Sequence, residues 1–233
     1  RSSRGLGDVY KRQQNPQAAQ DTLAGRDPKD NLLHMLGDAR QIDPADDGAE
    51  YSNYGHPLDK HPIDTGRYAT VVEKVADMAD WGRSLPEGHG LGIAVHRSFL
   101  SIVGSVAEVS VDDAGRLVVH DIWMAIDAGT VVNPDRVTSQ MEGAAIFGMS
   151  IALHGEITAK DGAVVQGNYD TYPVVRMSEA PDAIHVHIVE STDLPGGVGE
   201  PGVPPVAPAI VNAYFDATGN RVRELPLRKA GLT

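Results

Sequence analysis

A single carboxylate stands out by its surroundings. Glu200 lies in Gly196-Gly197-Val198-Gly199-Glu200-Pro201-Gly202-Val203-Pro204-Pro205, immediately ahead of an apolar stretch. Glycines let backbone come close to a ligand, and prolines fix the turn that aims the acid. A lone acid on so stiff and small a loop suits a general base; the competing reading is an exposed Glu on a Pro-rich loop that merely feeds a helix. The nine histidines invite a second chemistry, metal binding. His185 and His187 share one face of a strand, but Ile184, Val186 and Ile188 alternate with them, which makes the histidine face the solvent face. His56 and His61 flank a proline turn, His96 and His120 read as core or edge residues of strands, and Trp81 and Trp123 read as packing.

The elements that must position Glu200 follow from periodicity and caps. Asp27-Pro28 opens a helix through Leu32, Leu33 and Leu36, and Leu23 belongs to a preceding helical stretch. Residues 41–67 hold Pro44, Pro57 and Pro62 with little apolar periodicity and read as a loop or linker. Val71, Val72, Val75, Met78 and Ala79 fall at helical spacing over 68–81. A strand is expected at 91–96, then a hairpin whose arms, 106–111 and 117–122, flank Asp112-Asp113-Ala114-Gly115. Asn133 and Pro134 form a good N-cap and first position for a helix running to Leu153. Asp161-Gly162 marks a second hairpin between 156–158 and 163–166. Residues 184–188 alternate as a half-buried strand, and 208–218 closes as a helix stopped by Gly219. Helices and strands mix without a strict βαβ rhythm, so the fold class is α+β.

Composition bounds the chemistry further. With 233 residues and 41% hydrophobic content the chain can bury a core. A net charge of −12 repels nucleic acid and anionic membrane surfaces alike. The absence of cysteine rules out a disulfide, a thiolate zinc site or an iron–sulfur cluster built from this chain. Electrons removed from a substrate would therefore leave through another polypeptide or segment. No apolar run is long enough to span a bilayer.

Four segments in order carry a family likeness. They are Ala125-Ile126-Asp127-Ala128-Gly129-Thr130-Val131-Val132-Asn133-Pro134, Gln140-Met141-Glu142-Gly143-Ala144, Asn168-Tyr169-Asp170-Thr171-Tyr172-Pro173 and the Glu200 loop. Together they resemble the C-terminal part of the molybdopterin-binding large subunit of molybdenum hydroxylases, the xanthine dehydrogenase and aldehyde oxidase superfamily. Gly92-Ile93-Ala94-Val95-His96-Arg97-Ser98-Phe99 and Leu153-His154-Gly155-Glu156-Ile157-Thr158 point to the isoquinoline 1-oxidoreductase beta subunit branch. The resemblance runs from about Gln14 to the end. Residues 1–13, basic where the remainder is acidic, match nothing in the family and read as non-native read-through. Residues 14–67 are then a helical connector and linker, and 68–233 a portion of the C-terminal molybdopterin-binding domain.

The resemblance implies oxidative hydroxylation of an N-heterocycle or an aldehyde, with water as the oxygen source. It makes Glu200 the catalytic base, Gln140 a cofactor ligand through its donor-and-acceptor amide, and Gly197 and Gly199 the points of close backbone approach. The cofactor implied is molybdenum–molybdopterin cytosine dinucleotide, with the metal held through the pterin and by no residue of this chain. The partners implied are a small iron–sulfur subunit carrying 2Fe-2S clusters and a cytochrome acceptor. A water-poor pocket is expected to raise the pKa of Glu200 by desolvation. Ala128 stands where many relatives carry Cys, and Phe147 where xanthine dehydrogenases carry Gln, which favours an apolar or aromatic substrate over a purine. The alternatives are an aldehyde or carbon monoxide dehydrogenase-type large subunit and, from another class, a non-catalytic binding or scaffold module of the same fold.

Overall fold

A computed structural model describes residues 25–233. The readings made for 1–13, and for the connector as far as Leu23, lie outside the described residues. Asp27 accepts hydrogen bonds from the backbone N–H groups of Lys29 and Asp30 and so caps α1 (Pro28–Leu36), which Gly37 ends. The stretch that reads as loop or linker holds a two-residue ladder, β1 (Gln41–Ile42) against β2 (Ile63–Asp64), and a buried Asn53. A ladder this short leaves no alternation to read. Asp64 then accepts from Gly66 and Arg67 N–H, so α2 (Thr65–Met78) begins earlier than its apolar periodicity suggests.

The centre of the molecule is one mixed sheet. β3 (His89–Ser98), β4 (Ser101–Val111) and β5 (Leu117–Asp127) form an antiparallel meander. The connection onward carries α3 (Pro134–Leu153), whose N-cap Asn133 accepts from Arg136 N–H. It continues through the small hairpin of β6 (Ala159–Lys160) and β7 (Ala163–Val164), closed at Asp161-Gly162. It returns as β8 (Ala183–Ile188), parallel to β5, giving the order β3-β4-β5-β8. The last long element is α4 (Val206–Thr218), stopped by Gly219 at φ 72°.

Alternation along the strands assigns the two faces. Val103, Ala107, Val109, Ile122, Met124 and Ile126 pack beneath α3 and α4. Ile102, Val106, Leu91, Ile93, Trp123 and Ala125 pack against α2. The α4 backbone lies directly on β3, because a Cβ at Gly92 would collide with the Ala209 carbonyl and the Ala213 amide. Asn212 and Asp216 of α4 reach around to the strand, donating to Ile93 O at 3.1 Å and accepting from Leu91 N–H at 3.0 Å. The sheet with helical layers on both faces is the α+β arrangement expected from the sequence. No described helix is long and apolar enough to cross a membrane.

Candidate functional site

The Glu200 loop is pinned to the sheet before it reaches the acid. Gly196 N–H donates to Ala128 O at 2.8 Å and Gly197 N–H to Phe99 O at 2.7 Å, while Ser101 Oγ donates to Gly197 O at 2.6 Å. A side chain at Gly197 would stand 2.7 Å from the Phe99 Cβ, so the close approach needs glycine. Beyond the acid, Val203 N–H donates to Glu200 O at 2.9 Å across a Pro201-Gly202 turn that is fully buried. Gly202 leaves no room for a Cβ, which would lie 2.7 Å from the Ala144 Cβ and 3.0 Å from Met141 Sδ. Glu200 itself is exposed. The expected water-poor pocket is thus not formed by the described residues alone, because both flanks of the acid are locked while its carboxylate faces outward.

Helix α3 brings Gln140 to this loop. Met141, Ala144 and Gly148 face inward against Gly202, Val203 and Val206. Gln140, Gly143 and Phe147 share the neighbouring, exposed helix face, and of these Gln140 reaches the loop. Gln140 Nε2 lies 3.6 Å from where a Cβ of Gly199 would sit, and the space over Gly143 is open. Gln140, Gly199 and Glu200 are therefore adjacent and all exposed, whereas Gly197 sits on the far side of the loop against Phe99. An amide beside bare glycine backbone offers donors and an acceptor to a planar neutral heterocycle. These residues fit a pterin.

Sequence reasoning missed the pair that holds the loop's other end. Asp127, 3% exposed at the end of β5, accepts from Arg67 Nε and Nη2 at 2.7 Å each and from Gly129 N–H at 3.0 Å. Arg67 Nε also lies 3.2 Å from Asp193, whose carbonyl accepts from Thr130 N–H and Oγ1. Burial works against the Arg67 charge, but the Asp127 hydrogen bonds and the charges of Asp127, Asp193 and Asp64 outweigh it and raise the pKa. Gly129, at φ 67°, lies so close to the carbonyls of Asp193 and Leu194 that a Cβ would clash with both. The signal in the sequence was a carboxylate that ends the apolar run Ile122–Ile126, within the segment whose order carried the family likeness.

The histidines take other roles. His185 Nε2 lies 2.9 Å from Asp121 Oδ1 and its ring stacks on Trp123, and His154 Nε2 lies 2.8 Å from Glu179 Oε1. Burial alone lowers the His96 pKa to about 4, so that ring is neutral near pH 7. Trp81 does more than pack: its Nε1–H donates to Asp27 at 2.8 Å and ties α1 to the end of α2. Ser110 Oγ lies 2.7 Å from His120 Nε2, with His120 Nδ1 3.9 Å from Asp182, an order that mimics a nucleophilic triad. The longer gap exceeds a hydrogen bond, and Asp182 is almost fully solvated, so Asp182 does not hold the imidazole as a base; the ring stacks instead on His89.

Comparison with known proteins identifies the family. Residues 94–181 match the family described as a molybdopterin cofactor-binding domain. The chain is 39% identical over 168 residues to isoquinoline 1-oxidoreductase subunit beta of Brevundimonas diminuta, covering 70% of this chain and 21% of that protein. It is 37% identical over 170 residues to a membrane-bound aldehyde dehydrogenase (pyrroloquinoline-quinone) of Gluconacetobacter polyoxogenes, covering 70% and 22%. The crystal structure of quinoline 2-oxidoreductase from Pseudomonas putida 86 shares the fold, with a TM-score of 0.50 and 23% identity over 55% of this chain and 17% of that one. The chain spans about a fifth of the length of the curated relatives it matches. A cofactor-binding family match that runs from β3 through α3, together with these relatives, places the chain in the molybdopterin-binding large-subunit family of the xanthine dehydrogenase and aldehyde oxidase superfamily.

Proposed function

We propose that this chain is part of the catalytic subunit of a molybdenum hydroxylase that converts an N-heterocycle or an aldehyde to its hydroxylated product, taking the oxygen from water. The observation that carries the reading is the approach of Gln140, from α3, to Gly199, the residue before Glu200 on a loop anchored at both ends. The molybdenum–pterin group, when bound, supplies the two-electron redox chemistry. Gln140 hydrogen-bonds the pterin, and the bare backbone at Gly199 lets it come close. Gly197 holds the loop to the sheet through Phe99 and Ser101. Glu200 accepts the proton released as the water-derived oxygen attacks an electron-poor carbon, and its buried Pro201-Gly202 footing fixes where that proton is received.

The cytosine dinucleotide form of the cofactor, an iron–sulfur subunit with 2Fe-2S clusters and a cytochrome acceptor complete the proposal. The absence of cysteine from the chain supports an external route for electrons. Likeness to an isoquinoline oxidoreductase subunit supports the heterocycle, and likeness to an aldehyde dehydrogenase supports the aldehyde. Glu200 is exposed among the described residues, and turnover is expected only from the complete subunit with its partners.

The deciding experiment is Glu200→Gln in that complete enzyme. The amide keeps the shape of the side chain but cannot take the proton. Molybdenum content should stay normal while the rate of the reductive half-reaction falls by about 10²–10⁴-fold. A near wild-type rate would make Glu200 a structural loop residue.

A further inference from the structure

The outer edge of the central sheet opens into a cavity. β3 pairs with β4 on one side, and along its other edge, from Leu91 to Val95, runs a cavity of about 440 Å³. That stretch of strand is about 13 Å long at 3.3 Å per residue. Helix α4 walls one side with Pro208, Val211 and Phe215, and α1 walls the other with Pro28 and Leu32. The volume lies within the roughly 300–1,000 Å³ usual for small-molecule sites. None of the described residues that line it belongs to the Glu200 loop or to α3.

The lining narrows what the cavity can hold. Asp216 already accepts from Leu91 N–H and Asn212 donates to Ile93 O, so an added peptide strand could not continue the ladder there. Phe215 carries the Arg221 guanidinium 3.8 Å from its ring centroid, which occupies a face that an aromatic ligand would use. The remaining walls are mainly branched aliphatic side chains, which suit a flexible alkyl chain. Asn31 also lines the cavity; it is 2% exposed, and its Oδ1 has no hydrogen-bond partner in the protein. A buried carbonyl oxygen of that kind calls for a donor. Arg26, Arg221 and Arg223 face Asp27 and Asp216 across the lining, an excess of positive charge in a chain of net charge −12. Both acids are spent on the fold, since Asp27 caps α1 and holds Trp81 while Asp216 holds Leu91. Arg223 is exposed and so lies at the rim. Burial and the nearby Arg223 charge both lower the Arg221 pKa, an unfavourable pairing that a bound anion offsets.

We propose that this cavity binds a medium-chain aliphatic carboxylic acid that bears a terminal hydroxyl group. The alkyl chain lies along β3 between α1 and α4, the carboxylate faces Arg221 and Arg223, and the hydroxyl donates to Asn31 Oδ1. The walls contribute apolar burial, the arginines select an anion over a neutral chain, and Asn31 separates the hydroxylated acid from the plain one. The cavity holds this ligand whether or not Glu200 is the base.

The test is isothermal titration of the complete enzyme, with its partner subunits, against ω-hydroxyoctanoate, octanoate and octanol. ω-Hydroxyoctanoate should bind with a Kd in the millimolar range or below. Octanoate should bind about two- to twelvefold more weakly, the worth of a neutral hydrogen bond. Octanol should bind at least about twofold more weakly than ω-hydroxyoctanoate, and added salt should weaken the two acids but not the alcohol. Arg223→Gln should raise the Kd of both acids about two- to fivefold, as expected for an exposed charge, and leave octanol unchanged. Asn31→Leu removes the buried acceptor at similar volume, so it should bind both acids with the affinity wild type has for octanoate. The site is refuted if wild type does not bind ω-hydroxyoctanoate in the millimolar range, if octanoate or octanol binds as tightly, or if Asn31→Leu still prefers the hydroxylated acid. Should Asn31→Leu fail to accumulate, the ranking of the three probes on wild type still decides. Glu200→Gln should leave all three Kd values unchanged; loss of binding in that variant would place the acids at the Glu200 loop and overturn the site.

Discussion

Asp127→Asn probes how firmly the candidate site is tethered. The asparagine keeps the shape of the side chain and one acceptor oxygen, so the hydrogen bond from Gly129 N–H can survive. It removes the negative charge facing Arg67, whose side chain is only 13% exposed. Removing one partner of a buried ion pair costs about 3–5 kcal/mol, because the other charge is left without compensation. Arg67 retains Asp193 at 3.2 Å, but that side chain is 50% exposed and screened by water, so it offsets only part of the loss. We therefore expect a loss of about 2–3 kcal/mol. For a chain of this size that corresponds to a fall in Tm of about 4–12 °C. Scanning calorimetry and urea titration of the purified chain measure it, and the urea m-value should stay unchanged. Arg67→Gln combined with Asp127→Asn should be no less stable than Asp127→Asn alone, because the orphaned guanidinium has gone. A Tm within about 2 °C of the parent, or simple additivity in the double variant, would show that the pair does not anchor this end of the loop.

Other expectations test separate parts of the structure. Gly92→Ala drives a methyl group into the α4 backbone at Ala209 and Ala213, so α4 must lift from β3; we expect at least the roughly 1–3 kcal/mol typical of overpacking, visible as a lower urea midpoint. His96 has its pKa lowered by burial to about 4, against 6.5 when unfolded. The unfolded chain then binds the proton more readily between those values, so the contribution of a neutral His96 is complete above about pH 6.5 and is lost as the pH falls toward 4, on the order of 1 kcal/mol per unit at most. Urea titrations at pH 7 and pH 5 should show that His96→Phe is less sensitive to acid than wild type; equal sensitivity would place the titrating group elsewhere. Gln140→Ala in the complete enzyme should lower cofactor retention by the worth of a neutral hydrogen bond, about 0.5–1.5 kcal/mol, while the rate per molybdenum changes little. Full occupancy with collapsed turnover would contradict a ligand role.

Local chemistry was legible in the sequence wherever one residue type settles the backbone. Asp27-Pro28 and Asn133-Pro134 open α1 and α3, Gly219 closes α4, and Asp161-Gly162 turns the small hairpin, all within a few residues of where they were expected. The turn between β3 and β4 was not legible, because Phe99-Leu100 carries no turn signal and is held by contacts made far along the chain, at Gly197 and Tyr54. The β1–β2 ladder and the Arg97–Asn53 network escaped for a similar reason: polar side chains that satisfy one another leave no periodicity. Glu200 and Gln140 were singled out by motif order, and the structure places them next to Gly199. Arg67 and Asp127 are separated by 60 positions, a pairing that only tertiary structure reveals. The exposure of Glu200 was also hidden, since a Gly- and Pro-rich loop is compatible with either a closed or an open acid.

The way α4 closes onto β3 has a consequence for the order in which the molecule assembles. The meander of β3, β4 and β5 pairs neighbours in sequence and pays little loop-closure entropy. The bonds from Asn212 to Ile93 and from Asp216 to Leu91 span 119 and 125 positions, and Ser101 meets Gly197 across 96. Contacts at such separations form late, after local pairing has provided a surface to receive them. The Glu200 loop lies between the two sets of late contacts. During synthesis the meander can form while the loop is still inside the ribosome, and the acid takes its place only when the last helix docks. Any lesion that slows that docking leaves a chain with most of its secondary structure and no site.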